Sequence, residues 1–450
     1  MGSFTSSLAT SIVGVVLPRI GAWSGRDVLD LQWVMLTPLV VIVAALLPAG
    51  RAGDVFGHRR AYLFGLVLLC VGSLGCALAP SFGTFLIGRA VQGFGSSFLM
   101  ASSPALVSLG AAPGRRGRAL GLISSALYLG LTLGPPLGGL LESWGGFRTV
   151  FWVQALLPAA LLVLAVPLLP DVGRSEQAQP IDLAGAGLLA SGLALVLLGA
   201  SRWGAWGSAP SGGLALGGGL VLAVFTLRER RAVSPLLDLG LFSDRTFASA
   251  AAGAFLNYLA VSHVSFLLPF HLEEGLGLDP RHAGLVLTTM PLVMAILAGP
   301  SGTLSDRMGS RGLSSLGMAL STAGLVGFVA AVATGRIFPI VAAAACLGLG
   351  TGLFVSPNTN ALLSSAPRER QGVASGVLAV ARNLGMVSGT TLGAALYAYG
   401  SATLEARGAS AVDASVHGLQ WAFGVAACLA LAGALVVLVR PSRESGPRSR

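Results

Sequence analysis

A chain of 450 residues that is 54% apolar and only 10% charged cannot bury its apolar surface within itself, which excludes a soluble protein and assigns it to the lipid bilayer. All 28 basic residues are arginine, and the net charge of +10 reads as short basic loops facing the cytoplasm, not as a nucleic-acid surface. Cys70, Cys76, Cys346 and Cys428 lie in apolar runs without metal-ligand spacing and read as small packing residues.

Runs of apolar residues long enough to cross a bilayer give fourteen candidate spans. Six come first, at 3–20, 31–50, 61–79, 84–107, 118–141 and 150–169. Two follow at 183–200 and 213–229, and six more occupy 246–270, 283–304, 313–334, 337–362, 373–399 and 419–439. No basic stretch precedes the first run, so no cleavable signal peptide is expected; Met1 opens almost inside that run, which leaves a start upstream of Met1 as an alternative. With the N-terminus inside, the cytoplasmic connections hold 19 arginines, Arg115, Arg116, Arg118, Arg228, Arg230 and Arg231 among them, against seven outside. That ratio places both termini in the cytoplasm.

The stretch Pro48–Arg60 (PAGRAGDVFGHRR) packs Gly50, Asp54, Gly57, Arg59 and Arg60 into a short connection between spans. Pro300, Gly302, Asp306, Gly309 and Arg311 repeat it 252 positions later. Leu17-Pro18 and Leu268-Pro269 are a second matched pair, at an offset of 251, and Gly121 matches Gly372 at the same offset. A duplicated membrane protein follows: residues 1–170 form an N-terminal six-helix bundle, 171–230 an inserted helix pair, 231–440 a C-terminal six-helix bundle and 441–450 a cytoplasmic tail. The segment Arg228–Arg245 alternates charged and apolar residues and is expected along the inner membrane surface.

Three motifs carry a resemblance. The turn after span 2 has Gly50, Asp54, Gly57, Arg59 and Arg60; span 4 has Gly88-Arg89-Ala90-Val91-Gln92-Gly93; span 5 has Gly130-Leu131-Thr132-Leu133-Gly134-Pro135-Pro136-Leu137-Gly138-Gly139. Gln32-Trp33, Arg148, Phe151, Pro158 and Pro235-Leu236-Leu237-Asp238 add softer matches. The chain resembles the major facilitator superfamily and, within it, the fourteen-span drug:proton antiporter branch. The resemblance implies an all-α membrane fold of fourteen helices, two six-helix bundles plus an inserted hairpin. It also implies a monomeric exporter of small hydrophobic or amphipathic molecules that exchanges them for protons and needs no cofactor. Asp54, Arg59, Asp306 and Arg311 would latch an inner gate, Arg89 and Gln92 would couple proton movement, and the glycines and prolines of span 5 would bend a bundle interface.

One departure stands out. The branch carries D-x-T-x-x-N-x-x-L-P in span 1, whereas the positions counted back from Leu17-Pro18 hold Ala9, Ser11 and Gly14. The usual central carboxylate is gone, which puts proton coupling and cation preference in doubt. Glu142 is one candidate carrier, with an outer-surface pair to Arg148 as the alternative; His263 is another, with a plain interhelical hydrogen bond as its alternative. Arg382 and Asn383 fall near the midplane and are candidates for the wall of a neutral to electropositive cavity; Gln154, Asn257 and Asn360 are further candidates, with hydrogen bonding between packed helices as their alternative. Neither G-x-x-x-x-G-K-[ST] nor H-E-x-x-H nor G-x-S-x-G occurs, so no enzyme is expected. A carrier of an endogenous lipid or metabolite, and a non-transporting receptor on the same fold, remain the rival readings.

Overall fold

A computed structural model describes residues 1–110, 116–169, 182–202, 208–231, 239–367 and 371–439. Part of the linking segment (232–238, with the Pro235–Asp238 match), Arg115, and the tail 441–450 lie outside the described residues. The described helices, in chain order, are α1 (Gly2–Ser24), α2 (Val28–Phe56), α3 (His58–Ala77), α4 (Phe82–Gly110), α5 (Arg116–Gly145), α6 (Phe147–Leu168), α7 (Leu183–Ser201), α8 (Ser208–Glu229), α9 (Arg245–Phe270), α10 (Pro280–Met308), α11 (Ser310–Ala331), α12 (Ile337–Ser365), α13 (Gln371–Glu405) and α14 (Ala411–Leu438). Ten of them are long and apolar enough to cross a membrane by length and composition. Their termini are fixed locally: Asp27, Asp182, Asp244, Asp279 and Ser410 cap α2, α7, α9, α10 and α14 by accepting from first-turn backbone N–H groups.

Packing repeats along the chain. In the first half α1 lies on α5, α2 on α4, and α3 on α4 and α6; in the second half α9 lies on α13, α10 on α12, and α11 on α12 and α14. The halves meet where α5 packs on α10 and α2 on α13, a pairing that maps onto itself when the halves are exchanged. α7 and α8 pack on each other, and α7 reaches α2 and α13. The Arg202 guanidinium, just past α7, pairs with the buried Asp30 of α2, and Arg228 of α8 pairs with Asp182 at the start of α7. Outward positions such as Leu156, Val163 and Leu164 on α6 and Leu216, Leu220 and Val224 on α8 remain exposed, as lipid-facing surfaces do.

The repeated charged turn is shorter than expected. Pro48–Phe56 continues α2 as helix, and the break is Gly57 alone, at φ 96° and ψ 131°. Its copy behaves alike: α10 runs to Met308 and breaks at Gly309, at φ 83° and ψ 151°. Both values are closed to residues with a Cβ, so one glycine reverses the chain where two apolar helices would otherwise fuse.

Candidate functional site

The central space is built from proline-interrupted helices. A proline removes the N–H that would bond the carbonyl four residues earlier and leaves that carbonyl for another donor. Pro38 frees Val34 of α2 in this way, and the Arg89 Nε of α4 donates to the Val34 oxygen at 2.9 Å. Arg89 Nη1 donates to Gln92 Oε1 at 2.6 Å; Gln92 Nε2 donates to Ser73 Oγ at 2.7 Å and to Gln154 Oε1 at 2.9 Å. Gln154 Nε2 in turn reaches the Ala9 carbonyl at 3.4 Å. Arg89 is 2% exposed, so the guanidinium turns inward rather than reaching for the membrane surface. It needs no carboxylate. Ala9, which takes the place of the branch's acid, meets this network only through its backbone.

The span 5 motif is mainly a packing device within one half. Gly130, Gly134 and Gly138 lie one helical turn apart and press on α1; a Cβ at Gly138 would stand 2.8 Å from the Ile12 oxygen. Gly385, Gly389 and Gly393 do the same for α13 against α9. Gly139 and Pro135 turn to the other half, where Gly139 meets the Pro280 carbonyl and Pro135 stands against Gly284 of α10. Thr132 Oγ1 adds a hydrogen bond to the Pro291 carbonyl at 3.2 Å. The expected bend at a bundle interface therefore reduces to this one edge, because glycines spaced by four share a face and that face is turned to α1.

Between the halves lies a cavity with about 190 Å³ open to a water-sized sphere, lined from α1, α2, α5, α9, α10, α12 and α13. Met35, Met290, Met294 and Met386 contribute thioethers, Tyr258 an aromatic ring, and Thr10, Ser11, Ser262, Ser265, Thr351 and Thr390 hydroxyls. Not one lining residue is charged. Four of the chain's eight methionines gather here, which gives the wall a soft, adaptable surface able to meet ring edges through sulfur.

The polar residues expected to line this space are elsewhere. Arg382 donates to Thr359 Oγ1 at 2.8 Å and its guanidinium lies over the Tyr258 ring at 5.7 Å, one residue behind the cavity wall. Asn383 bonds its own helix at Ala379, Asn257 donates to Met318 Sδ at 3.3 Å, Gln154 belongs to the Arg89 network, and Asn360 is exposed on α12. Depth along a helix could be counted from the chain, but the face could not. The residue that sequence reasoning passed over is Asn358, buried and donating to the Ala250 carbonyl at 2.8 Å. His263 is also enclosed: Nδ1 lies 2.8 Å from the Leu259 oxygen, and Gly393 of α13 stands against the ring.

At the end where α1, α5 and α9 finish, Glu142 does not pair with Arg148. Its Oε1 lies 3.3 Å from Arg19 Nε, while Arg148 donates to the Ala77 and Ala79 carbonyls and lies over the Trp23 ring. At the opposite end Asp54 meets His58 Nε2 at 3.1 Å instead of an arginine, and Arg59 donates to the Val166 carbonyl of α6 at 2.6 Å. Arg60 is exposed, and the Asp306 side chain lies outside the described residues. Gly50 and Gly302 are uncrowded: a Cβ at Gly302 would meet nothing described within 4 Å.

Comparison with known proteins extends this picture over the whole chain. The sequence profile described as Major Facilitator Superfamily matches residues 1–243 and 250–450. The riboflavin transporter RibZ of Clostridioides difficile is 29% identical over 440 residues, covering 97% of this chain and 95% of its own. The multidrug resistance protein Stp of Mycobacterium tuberculosis is 31% identical over 411 residues, covering 90% and 76%. Among solved structures, a POT family transporter in complex with a thioalcohol-conjugated peptide superposes with a TM-score of 0.73 at 16% identity, covering 97% of this chain and 94% of that one.

Proposed function

Since this chain belongs to the Major Facilitator Superfamily, we propose that it is a secondary transporter of the fourteen-span drug:proton antiporter branch, exporting uncharged hydrophobic or amphipathic small molecules across the cytoplasmic membrane. Residues 1–170 and 231–440 act as two bundles that rock about the central cavity, with the pair within 171–230 attached to one flank. Both termini face the cytoplasm, and the end bearing Arg19 and Glu142 faces outward. The Gly50–Arg60 turn and its copy from Gly302 to Arg311 guard the inner side. Protons entering by exchange supply the energy; one charge moved through 100 mV is worth about 2.3 kcal/mol.

The observation that carries the reading is the cavity wall, shared by both halves and free of charge. A cation or anion entering it would give up its hydration without a partner, whereas a neutral ring system gives up little. Thioethers, one tyrosine and hydroxyls suit such a ligand. Several relatives bear names that fit export of this kind, among them Stp and the Tetracenomycin C resistance and export protein of Streptomyces glaucescens. The likeness to RibZ along nearly its whole length supports a second reading, a carrier of one vitamin-like heterocycle.

Purified protein in liposomes tests both. A pH step should drive accumulation of a neutral hydrophobic dye; movement of riboflavin alone would favour the second reading, and movement of neither would defeat both. Ser265 is exposed into the cavity, so Ser265→Asp places a carboxylate where there is none. Binding of a lipophilic cation should tighten about tenfold, corresponding to about 1.4 kcal/mol, with neutral ligands weakened or unchanged. Equal affinity for cations in both forms would count against an uncharged site.

A further inference from the structure

The feature left unused by the cavity lies at the end where α1, α5 and α9 finish. Arg19 Nε stands 3.3 Å from Glu142 Oε1 and 3.5 Å from Glu273 Oε2. Arg19 and Glu142 belong to the first half; Glu273 follows α9 in the second, on a one-turn π-helix, His271–Gly275. This ion cluster therefore ties the halves together beside the close approach of Gly139 to Pro280.

The charges do not balance. One guanidinium serves two carboxylates, whose side chains are 10% exposed for Glu142 and 5% for Glu273, while Arg19 remains 48% exposed. Glu273 Oε1 is buried and has no hydrogen-bond partner. The other charges acting on Glu273 are also negative, Glu274 beside it and Asp279 at the start of α10, and Asp279 is paired with His282. Arg281 lies two residues beyond Asp279 in the chain, and His271 lies buried in the same turn as Glu273, near Glu274, Tyr397 of α13 and Ser415 of α14. Taken together, Arg19, Glu142 and Glu273 thus hold one more negative charge than they neutralise, unless a proton is taken up.

We propose that Glu142 and Glu273, held by Arg19, form a proton-binding site that latches the outer ends of the two halves when one of the two carboxyls is protonated. The proton comes from the exterior through the exposed side of Arg19 and returns there when the mouth opens; no covalent bond changes. Low external pH then favours the outward-closed form, the state in which a carrier emptied of its cargo turns back to the cytoplasm. The proposal rests on the alternating-access reading above.

The test uses full-length protein in lipid nanodiscs, with spin labels at Ser81→Cys and Arg407→Cys, one on each half at this end, in a background freed of the four native cysteines. In the parent protein the closed-to-open ratio should rise about tenfold per unit fall in pH where one proton is linked to closure. Glu273→Gln supplies a neutral, proton-bearing side chain, so it should hold the mouth closed at every pH with a slope near zero; Glu142→Gln should flatten the slope likewise. A simple ion pair predicts the opposite sign. If both glutamine variants open the mouth, or both keep the parent slope, the latch is overturned. A single fixed distance in the parent protein under all pH and ligand conditions would instead overturn alternating access, and the latch with it.

Discussion

Gln92→Leu is expected to abolish transport and to lower the stability of the detergent-solubilised protein by about 3 kcal/mol. Gln92 is the hub of the buried network, accepting from Arg89 and donating to Ser73 and Gln154. Leucine fills the volume but leaves the Arg89 guanidinium with the Val34 carbonyl as its remaining hydrogen-bond partner among the described residues, deep in apolar surroundings. Breaking one side of a buried charged interaction costs far more than the interaction contributes, because the other side stays desolvated. Gln92→Glu separates the causes: a carboxylate still receives Arg89, and the Gln154 amide can turn to donate, so the fold should survive. Thermal unfolding and dye transport on the two variants check this; a leucine variant as stable and active as its parent would contradict it.

Gly389→Ala should be among the most damaging single methyls at the described glycines. Its Cβ would fall inside van der Waals contact of the Leu259 carbonyl carbon and oxygen on α9, backbone atoms that cannot rotate aside. Overpacking of this kind costs about 1–3 kcal/mol, and here it also pushes α13 away from α9 at the cavity wall. Gly134→Ala, at the equivalent crossing of α5 and α1, meets the Ser11 hydroxyl, which can turn away, and its nearest backbone atom, the Ile12 nitrogen, is farther off at 2.9 Å, so it should cost less. Gly302→Ala meets nothing described within 4 Å and should be silent. The order Gly389, Gly134, Gly302 in loss of expression level and melting temperature is the checkable result.

Much of this was legible in the chain because membrane helices announce themselves by length and greasiness, and because duplication repeats unusual residues at a fixed offset. Pro18 and Pro269, and Gly57 and Gly309, occupy equivalent places in α1, α9 and the two turns. What failed was rotation. Arg382 and Asn383 lie at the expected depth, yet α13 turns Met386 and Thr390 to the cavity instead. Pairing failed for a related reason: Arg148 is near Glu142 in sequence, but the carbonyls ending α3 and the Trp23 ring claim its guanidinium, and Arg19, more than a hundred residues away, reaches Glu142. Arg89 is readable as a buried cation; that Pro38, four residues after Val34 on another helix, leaves it a free carbonyl is not.

Two distances followed together test the account most directly. One spans the end bearing Ser81 and Arg407; the other spans the opposite end, between Phe56 and Pro367, all four positions being exposed. Recorded in a bilayer with and without a neutral ligand and across pH, the two should change in opposite senses, one mouth closing as the other opens. Two distances that stay fixed, or that widen together, would contradict a pair of halves pivoting about one shared pocket.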